Sequence, residues 1–269
     1  MPAKKSLGQH FLVSAEVIAR IVELCRFVGR EAQGVAEIGP GRGALTSGLA
    51  GLGLPLWVVE ADDALAEAIG QRFPGVLVEN VDARTVDWCG IPRVTGLHPW
   101  LLAANLPYNA GTEILWQTLL RRDVFCALVV MLQREVAQKF CADAGEEGYC
   151  PYGAWADPWW ERRLLFTVKP GAFRPQPKVT SAVCAFTPKE GIPLSSSAMA
   201  DYWDFVRAAF RQPRKTLAAN LVDRYGGRET VSKAVDDLAI SPLSRPGEIS
   251  ARSLVNLFSI LRPGAAGTR

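Results

Sequence analysis

The chain has 269 residues, of which 49% are hydrophobic, and its formal net charge is +3. This length supports one sizeable core with a smaller second one. No apolar stretch approaches the roughly 20 residues that a membrane span needs, and residues 1–8 contain no apolar signal region. We therefore expect a cytoplasmic protein with no membrane partner, and we expect it to be monomeric.

Apolar runs bounded by turn signals predict five strands, and stretches with helical spacing separate them. The predicted strands are residues 35–38, 54–59, 76–81, 101–104 and 125–132, and the predicted helices are residues 15–27, 44–51, 63–72, 112–121 and 134–143. This alternation is typical of a Rossmann-like, doubly wound parallel sheet with helices on both faces. Two further β-like runs, 164–168 and 182–186, are expected to close one edge as an antiparallel pair.

A stretch rich in Ser, Pro and Gly at residues 188–197 is followed by helical patterns alone. Composition changes of this kind mark linkers, so we expect a catalytic domain at residues 1–190 and a small all-helical domain at 191–269. Ser250 is placed as the N-cap of a final apolar helix that runs through Leu261.

Charge is distributed unevenly between the two parts of the chain. Residues 1–161 hold 13 basic and 19 acidic side chains, a balance of −6, whereas residues 162–269 hold 17 basic and 8 acidic side chains, a balance of +9. A basic segment suits a polyanionic partner such as nucleic acid, although a solvated basic face would give the same count.

The six cysteines form no Cys-x-x-Cys pair, and the only histidines are His10 and His98. This composition indicates neither a zinc site nor a disulfide framework. We therefore expect reduced cysteines and no metal cofactor.

A glycine-rich turn, Gly39-Pro40-Gly41-Arg42-Gly43, follows the first predicted strand of the sheet. Glycines there allow a ligand to approach the main chain closely, and carboxylates follow the next two strands at Glu60 and Asp82. Doubly wound sheets bind ligands at these strand ends, where Glu60 suits ribose hydroxyls and Asp82 an adenine amine. Nicotinamide-dependent dehydrogenases use a similar turn, so the pattern alone indicates a nucleotide-type ligand.

Asn105-Leu106-Pro107-Tyr108 follows the fourth predicted strand. The Asn105 amide oxygen and a main-chain carbonyl could accept the two N–H bonds of an adenine amine, and Pro107 supplies no competing N–H. Tyr108 offers a flat face on which an extruded base could stack. The tetrapeptide predicts adenine methylation, with an ordinary loop turn as the alternative.

Two further segments combine basic and aromatic residues. The arm at residues 5–12 includes His10 and Leu12, and the proline-rich loop at 173–179 carries Phe173, Arg174 and Lys178. The loop could hold Phe173 over a base while the two cations meet phosphate. An N-terminal arm and a structural turn are the plainer interpretations.

Together these motifs resemble the small-subunit ribosomal RNA adenine dimethyltransferase family, from Ser6 to about Leu261. The shared motifs are Gly-Gln-His-Phe-Leu at residues 8–12, Glu-Ile-Gly-Pro-Gly at 37–41, Asn-Leu-Pro-Tyr at 105–108, Phe-x-Pro-x-Pro-Lys-Val at 173–179 and the basic Ala-Ala-Phe-Arg-Gln-Pro-Arg-Lys-Thr-Leu at 208–217. They occur in the family's order.

The resemblance implies transfer of methyl groups from S-adenosylmethionine to the N6 amines of two adjacent adenines in the 3′-terminal hairpin of small-subunit rRNA, in the immature subunit. By motif position, the implied cofactor-binding residues are His10, Leu12, Gly39, Gly41, Glu60, Asp82 and Asn105. The implied catalytic residues are Asn105, Leu106, Pro107, Tyr108 and Phe173. The implied RNA-binding residues are Arg174, Lys178, Arg211, Arg214 and Lys215.

The chain departs from the family pattern in three places. Residues 149–160 contain Pro151 and three tryptophans where the family has a Tyr-Gly-Arg-Leu-Ser stretch, and Pro151 is expected to disturb a helix start there. Position 213 is Pro rather than a basic or polar residue, and Ala61 is small for its motif. These changes affect the RNA contact surface more than the chemistry.

Three other functions fit parts of the sequence. A large-subunit rRNA methyltransferase that confers antibiotic resistance shares the glycine turn and a near-identical tetrapeptide, but the Arg-Lys-Thr-Leu signature at 214–217 favours the small subunit. A non-catalytic transcription or assembly factor could retain the same fold. A dehydrogenase would leave residues 105–108 unexplained.

Overall fold

The computed structural model describes residues 9–190 and 194–262. The strands are Phe11–Leu12 (β1), Gly34–Ile38 (β2), Leu56–Val59 (β3), Leu77–Glu79 (β4), Trp100–Asn105 (β5), Phe125–Gln133 (β6), Trp160–Val168 (β7), Phe173–Arg174 (β8) and Ser181–Pro188 (β9). The helices are Ala15–Val28 (α1), Thr46–Ala50 (α2), Asp63–Arg72 (α3), Gly90–Thr95 (α4), Gly111–Leu119 (α5), Arg134–Cys141 (α6), Pro151–Ala156 (α7), Met199–Ala209 (α8), Leu217–Leu221 (α9), Gly227–Asp237 (α10) and Ala251–Leu261 (α11).

Seven strands form one sheet in the order β4-β3-β2-β5-β6-β9-β7. The strands from β4 to β6 run parallel, and β9 pairs with β6 in the antiparallel direction. Strands β2, β3 and β5 read as apolar runs because parallel strands are covered on both faces. The expected doubly wound sheet with antiparallel strands at one edge is confirmed.

Side-chain caps begin several helices. Ser14 accepts a hydrogen bond from the Val17 amide at the start of α1, and Asp62 accepts from the Ala64 and Leu65 amides at the start of α3. Ser250 caps α11 by accepting from the Ser253 amide at 3.1 Å, as the sequence predicts. No helix in the described part of the chain is long and apolar enough to span a membrane.

The chain divides into two compact units. The first contains the residues up to Ala137 together with Glu161–Pro188, and the second contains Gln138–Trp160 together with the residues from Lys189 onward. Residues 138–160 thus belong to the second unit, whereas the expected boundary at residue 190 had placed them in the first domain. The reason is local, because the Trp155 indole donates to the Met199 carbonyl and the Tyr202 hydroxyl donates to the Ala154 carbonyl.

The expected effect of Pro151 is wrong. Helix α7 begins at Pro151 and ends at Ala156. Proline is well suited to the first position of a helix, where an N–H has no intrahelical acceptor. Three tryptophans of this segment, Trp155, Trp159 and Trp160, are fully buried. These tryptophans therefore contribute to the core of the second unit.

Candidate active site

One pocket lies in the first unit at the carboxyl ends of β2, β3 and β5. Ten of the residues singled out in the sequence line it, and they are His10, Leu12, Gly39, Gly41, Glu60, Asp82, Asn105, Leu106, Pro107 and Tyr108. They meet because parallel strands place their carboxyl ends at the same edge of a sheet. Glu37, Phe11 and Arg42 also line it.

The glycine turn forms one wall of this pocket. Gly39 and Gly41 have φ values of +63° and +57°, a left-handed conformation that side chains disfavour. A Cβ atom on Gly41 would lie 2.9 Å from the Phe11 ring, so the absence of a side chain lets the N-terminal arm pack against the turn. The Arg42 guanidinium lies 4.7 Å from the centre of the same ring.

Glu60 is held rigidly between the turn and the next helix. One carboxylate oxygen accepts from the Gly41 amide at 3.1 Å, and the other accepts from the Asp62 amide at 3.0 Å. Burial raises the pKa of Glu60, whereas these amide donors lower it. Each oxygen retains a second lone pair, so the carboxylate could still accept a ligand hydroxyl.

Glu37 is the most deeply buried acid of the pocket wall, with 1% of its surface exposed. Burial raises its pKa to about 8; Thr46 opposes that rise, and the nearby Glu60 charge adds to it. Its Oε2 atom has no hydrogen-bond partner. Burying a carboxyl oxygen without a hydrogen-bond partner costs free energy. A cationic or hydrogen-bonding ligand in the pocket would reduce that cost.

Asp82 does line the pocket, but a neighbouring cation already contacts its carboxylate. The Arg84 guanidinium donates to both oxygens, with the shortest contact at 2.6 Å. This pairing holds the pKa of Asp82 below its ordinary value. An adenine amine at Asp82 would therefore have to share the carboxylate with Arg84.

Asn105 ends β5 with its amide group fixed in orientation. Its Nδ2 atom donates to the main-chain carbonyl of His10 at 3.1 Å, which leaves Oδ1 to accept. The Leu106 amide donates to the Met131 carbonyl at 2.9 Å, so the tetrapeptide leaves the sheet in a defined direction. The amide assignment follows this hydrogen-bond network.

Tyr108 is half-buried and has two side-chain neighbours. Its hydroxyl hydrogen-bonds the Ser181 hydroxyl, and its ring centre lies 5.1 Å from that of His10, with the planes tilted by 32°. Burial raises the pKa of Tyr108, so its hydroxyl stays protonated near neutrality. Ser181 has no distinguishing signal in the sequence, because its contact with Tyr108 joins positions 73 residues apart.

The N-terminal arm and the proline-rich loop form a two-stranded antiparallel sheet, β1 with β8. Phe11 pairs with Arg174 and Leu12 with Phe173, and the His10 Nδ1 atom hydrogen-bonds the Pro175 carbonyl at 2.8 Å. The sequence suggested a role for each segment but not this pairing. Strands of two residues are too short to give a periodic pattern.

The structure does not support the expected base contact at Phe173. Its side chain is fully buried in the core cluster that also holds Leu12, Met131 and Val183, and it does not line the pocket. A fully buried ring offers no open face to a base. Phe173 therefore packs the first unit, and we do not retain it as a catalytic residue.

The residues expected to bind RNA lie outside the pocket. Arg174 and Lys178 are exposed in the first unit, and Arg211, Arg214 and Lys215 are exposed in the second. Arg211 lies 3.5 Å from Asp223, whereas Arg214 and Lys215 make no ion pair with any residue that the structure describes. Their side chains are thus open to an anionic partner.

Comparison with known proteins places these features in a family. The family model of ribosomal RNA adenine dimethylases matches residues 2–262. A small-subunit rRNA methyltransferase A of Geobacter metallireducens is 37% identical over 218 residues, which cover 80% of this chain and 78% of the relative.

Two solved structures share the fold. A dimethyladenosine transferase from Plasmodium falciparum is 19% identical, with a TM-score of 0.76 over 93% of this chain and 96% of its own. The 23S rRNA methyltransferase ErmE is 24% identical, with a TM-score of 0.72 over 94% of this chain and 100% of its own. On the family model and the curated relative, this chain belongs to the ribosomal RNA adenine dimethylase family.

Proposed function

We propose that this protein transfers methyl groups from S-adenosylmethionine to the N6 amines of two adjacent adenines in the 3′-terminal hairpin of small-subunit rRNA, during biogenesis of the subunit. The observation that carries the proposal is that a single pocket joins the glycine turn, Glu60 and Asp82 to Asn105 and Tyr108. The first group suits a nucleoside cofactor, and the second suits an extruded purine.

The pocket residues fit the cofactor in three respects. The bare glycine turn admits close approach of a ligand, Glu60 presents rigid acceptors for ribose hydroxyls, and the unpaired Oε2 atom of Glu37 is a buried hydrogen-bonding group that a ligand would satisfy. The cofactor supplies a methyl group on a sulfonium, which is already electrophilic. The chain's task is to align that group with the adenine amine and to exclude water.

The amine would be held from two sides. Asn105 keeps its Oδ1 free because its Nδ2 is committed to the His10 carbonyl, so the amide presents an acceptor at a fixed place. A main-chain carbonyl of Leu106 or Pro107 would accept the second N–H. Accepting both N–H bonds draws electron density back to the nitrogen, which is otherwise a poor nucleophile, and Tyr108 would stack on the base.

Exposed cations of the second unit supply a contact with rRNA. Arg214 and Lys215 are exposed and have no ion-pair partner in the described chain, so they can neutralise phosphates. Arg174 and Lys178 would act in the same way from the first unit. We further propose that the protein works as a monomer in the cytoplasm and needs no metal ion, since a sulfonium requires no Lewis acid.

Methylation of large-subunit rRNA is the second candidate, because ErmE has the same fold over nearly the whole chain. At 24% identity that likeness supports the fold alone. The curated relative, at 37% identity, is named for the small subunit and favours that substrate.

Substitution of Asn105 by Ala tests the catalytic assignment. We expect N105A to lose methylation by a factor of about 100 or more, since an oriented acceptor in an active site contributes on that scale. Affinity for small subunits should stay within about twofold, because Asn105 lies in a pocket and contributes no positive charge. The matched control is N256A, which removes an exposed asparagine of α11. Wild-type rates in N105A would refute the assignment.

A further inference from the structure

Ser181 is a buried polar residue whose hydroxyl contacts Tyr108, a residue of the pocket wall. It is the first residue of β9, is fully buried, and pairs with Gln133 of β6 across the sheet. Its backbone is therefore fixed by a ladder in the body of the sheet. Its hydroxyl lies 2.5 Å from the hydroxyl of Tyr108.

The strand ladder does not fix Tyr108, so a side-chain hydrogen bond matters more for its position than for that of a residue inside a strand. It lies beyond the end of β5 in irregular backbone, and it is only half-buried. Its hydroxyl is hydrogen-bonded to the Ser181 hydroxyl, and the centre of the His10 ring lies 5.1 Å from the centre of its ring. His10 is itself held, because its Nδ1 atom bonds the Pro175 carbonyl. Among the described residues, one hydrogen bond and one tilted ring contact thus help to orient the Tyr108 ring.

We propose that Ser181 is a positioning residue that fixes the Tyr108 ring in the orientation required for stacking of the target adenine. This inference rests on the proposed function. A stacking platform held in place before the base arrives does not lose rotamer freedom on binding. Without the anchor the ring would sample other orientations, and fewer encounters would place the amine in line with the methyl group.

A double-mutant cycle separates this role from simple packing. We expect S181A and Y108F each to lower kcat on unmethylated small subunits by about three- to tenfold, the scale of one immobilised side chain. The double variant should be no worse than either single one, because both remove the same hydrogen bond. Affinity for S-adenosylmethionine, measured by calorimetry, should stay unchanged.

The control is a buried hydroxyl away from the pocket. Thr118 of α5 is fully buried and donates to the Leu115 carbonyl at 3.0 Å. T118V should lower stability without lowering kcat. If S181A behaves as T118V does, or if its effect on kcat persists in full in the Y108F background, Ser181 does not act through Tyr108 and the proposal is overturned.

A measurement without turnover distinguishes failure of this inference from failure of the proposed function. The chain has five tyrosines, so ring-labelled tyrosine gives a simple NMR spectrum, and Y108F assigns the Tyr108 signals. We expect S181A to change the chemical shifts and the line widths of the Tyr108 signals, because the ring gains freedom to move. T118V should leave both unchanged. Unchanged Tyr108 signals in S181A would overturn the positioning role. Absence of adenine methylation by the wild-type protein would instead refute the proposed function.

Discussion

At the scale of single residues, the site depends on side chains whose positions follow from strand order and on others that do not. Glu60, Asp82 and Asn105 follow successive strands, so their meeting could be predicted from the alternation of strands and helices. Ser181 reaches Tyr108 across 73 residues, and the charge state of Glu37 depends on burial. Neither property is visible in a local pattern.

The ion pair between Asp82 and Arg84 shows a similar limit of prediction from the sequence. The carboxylate could be placed at the pocket from the sequence, but its bidentate partner two residues later could not, because side-chain direction in a turn is set by the surrounding structure. Phe173 is the opposite case. Its aromatic ring and flanking prolines suggested a base contact, and burial in the core removed it.

The raised pKa of Glu37 predicts how stability changes with pH. Because the folded protein holds the proton that the unfolded chain releases above its ordinary pKa of 4.5, the free energy of unfolding should fall as pH rises from there to about 8. We expect E37Q to flatten this dependence in urea unfolding experiments, with E147Q, at an exposed glutamate, as the control. An unchanged slope in E37Q would show that Glu37 is not the group responsible.

At the scale of elements, the loop between α8 and α9 presents two exposed cations of the second unit, Arg214 and Lys215. Asn220 of α9 is buried and binds this loop three times: it accepts from the Gln212 amide at 2.8 Å and donates to the Gln212 and Thr216 carbonyls, each at 3.1 Å. Arg214 and Lys215 lie between these anchor points. The basic motif could be predicted from the sequence, whereas the three hydrogen bonds by which Asn220 holds the loop could not.

These hydrogen bonds predict that a substitution of Asn220, which removes no charge, weakens RNA binding. N220A should lower affinity for small subunits and reduce the free energy of unfolding by about 1–3 kcal/mol, the cost of leaving buried groups unpaired. The double variant R214A/K215A should make the plot of log affinity against log salt concentration less steep. The slope should fall by the amount that about two phosphate contacts contribute.

A matched comparison shows which effect belongs to the loop. N220A added to R214A/K215A should cost little further affinity if Asn220 acts by presenting the two cations. N256A, at an exposed asparagine of α11, should leave both affinity and stability unchanged. Independent and additive losses of affinity would show that Asn220 serves another part of the RNA contact.

At the scale of the whole molecule, the fold class could be predicted because hydrophobic patterning determines it. The sheet order and the antiparallel strands follow the expected class, but the small β1–β8 sheet and the assignment of residues 138–160 to the second unit do not follow from patterning. Both depend on tertiary contacts of short segments. The proposed division of labour places the cofactor and base pocket in the first unit and exposed cations for RNA in both units.

Methyl transfer to small ribosomal subunits that lack the modification tests this account most directly. The purified protein is incubated with labelled S-adenosylmethionine and such subunits, and the rRNA is digested for nucleoside analysis and examined by primer extension. We predict N6,N6-dimethyladenosine at two adjacent adenines of the 3′-terminal hairpin. Label confined to large-subunit rRNA, or absent from adenine altogether, would contradict the account.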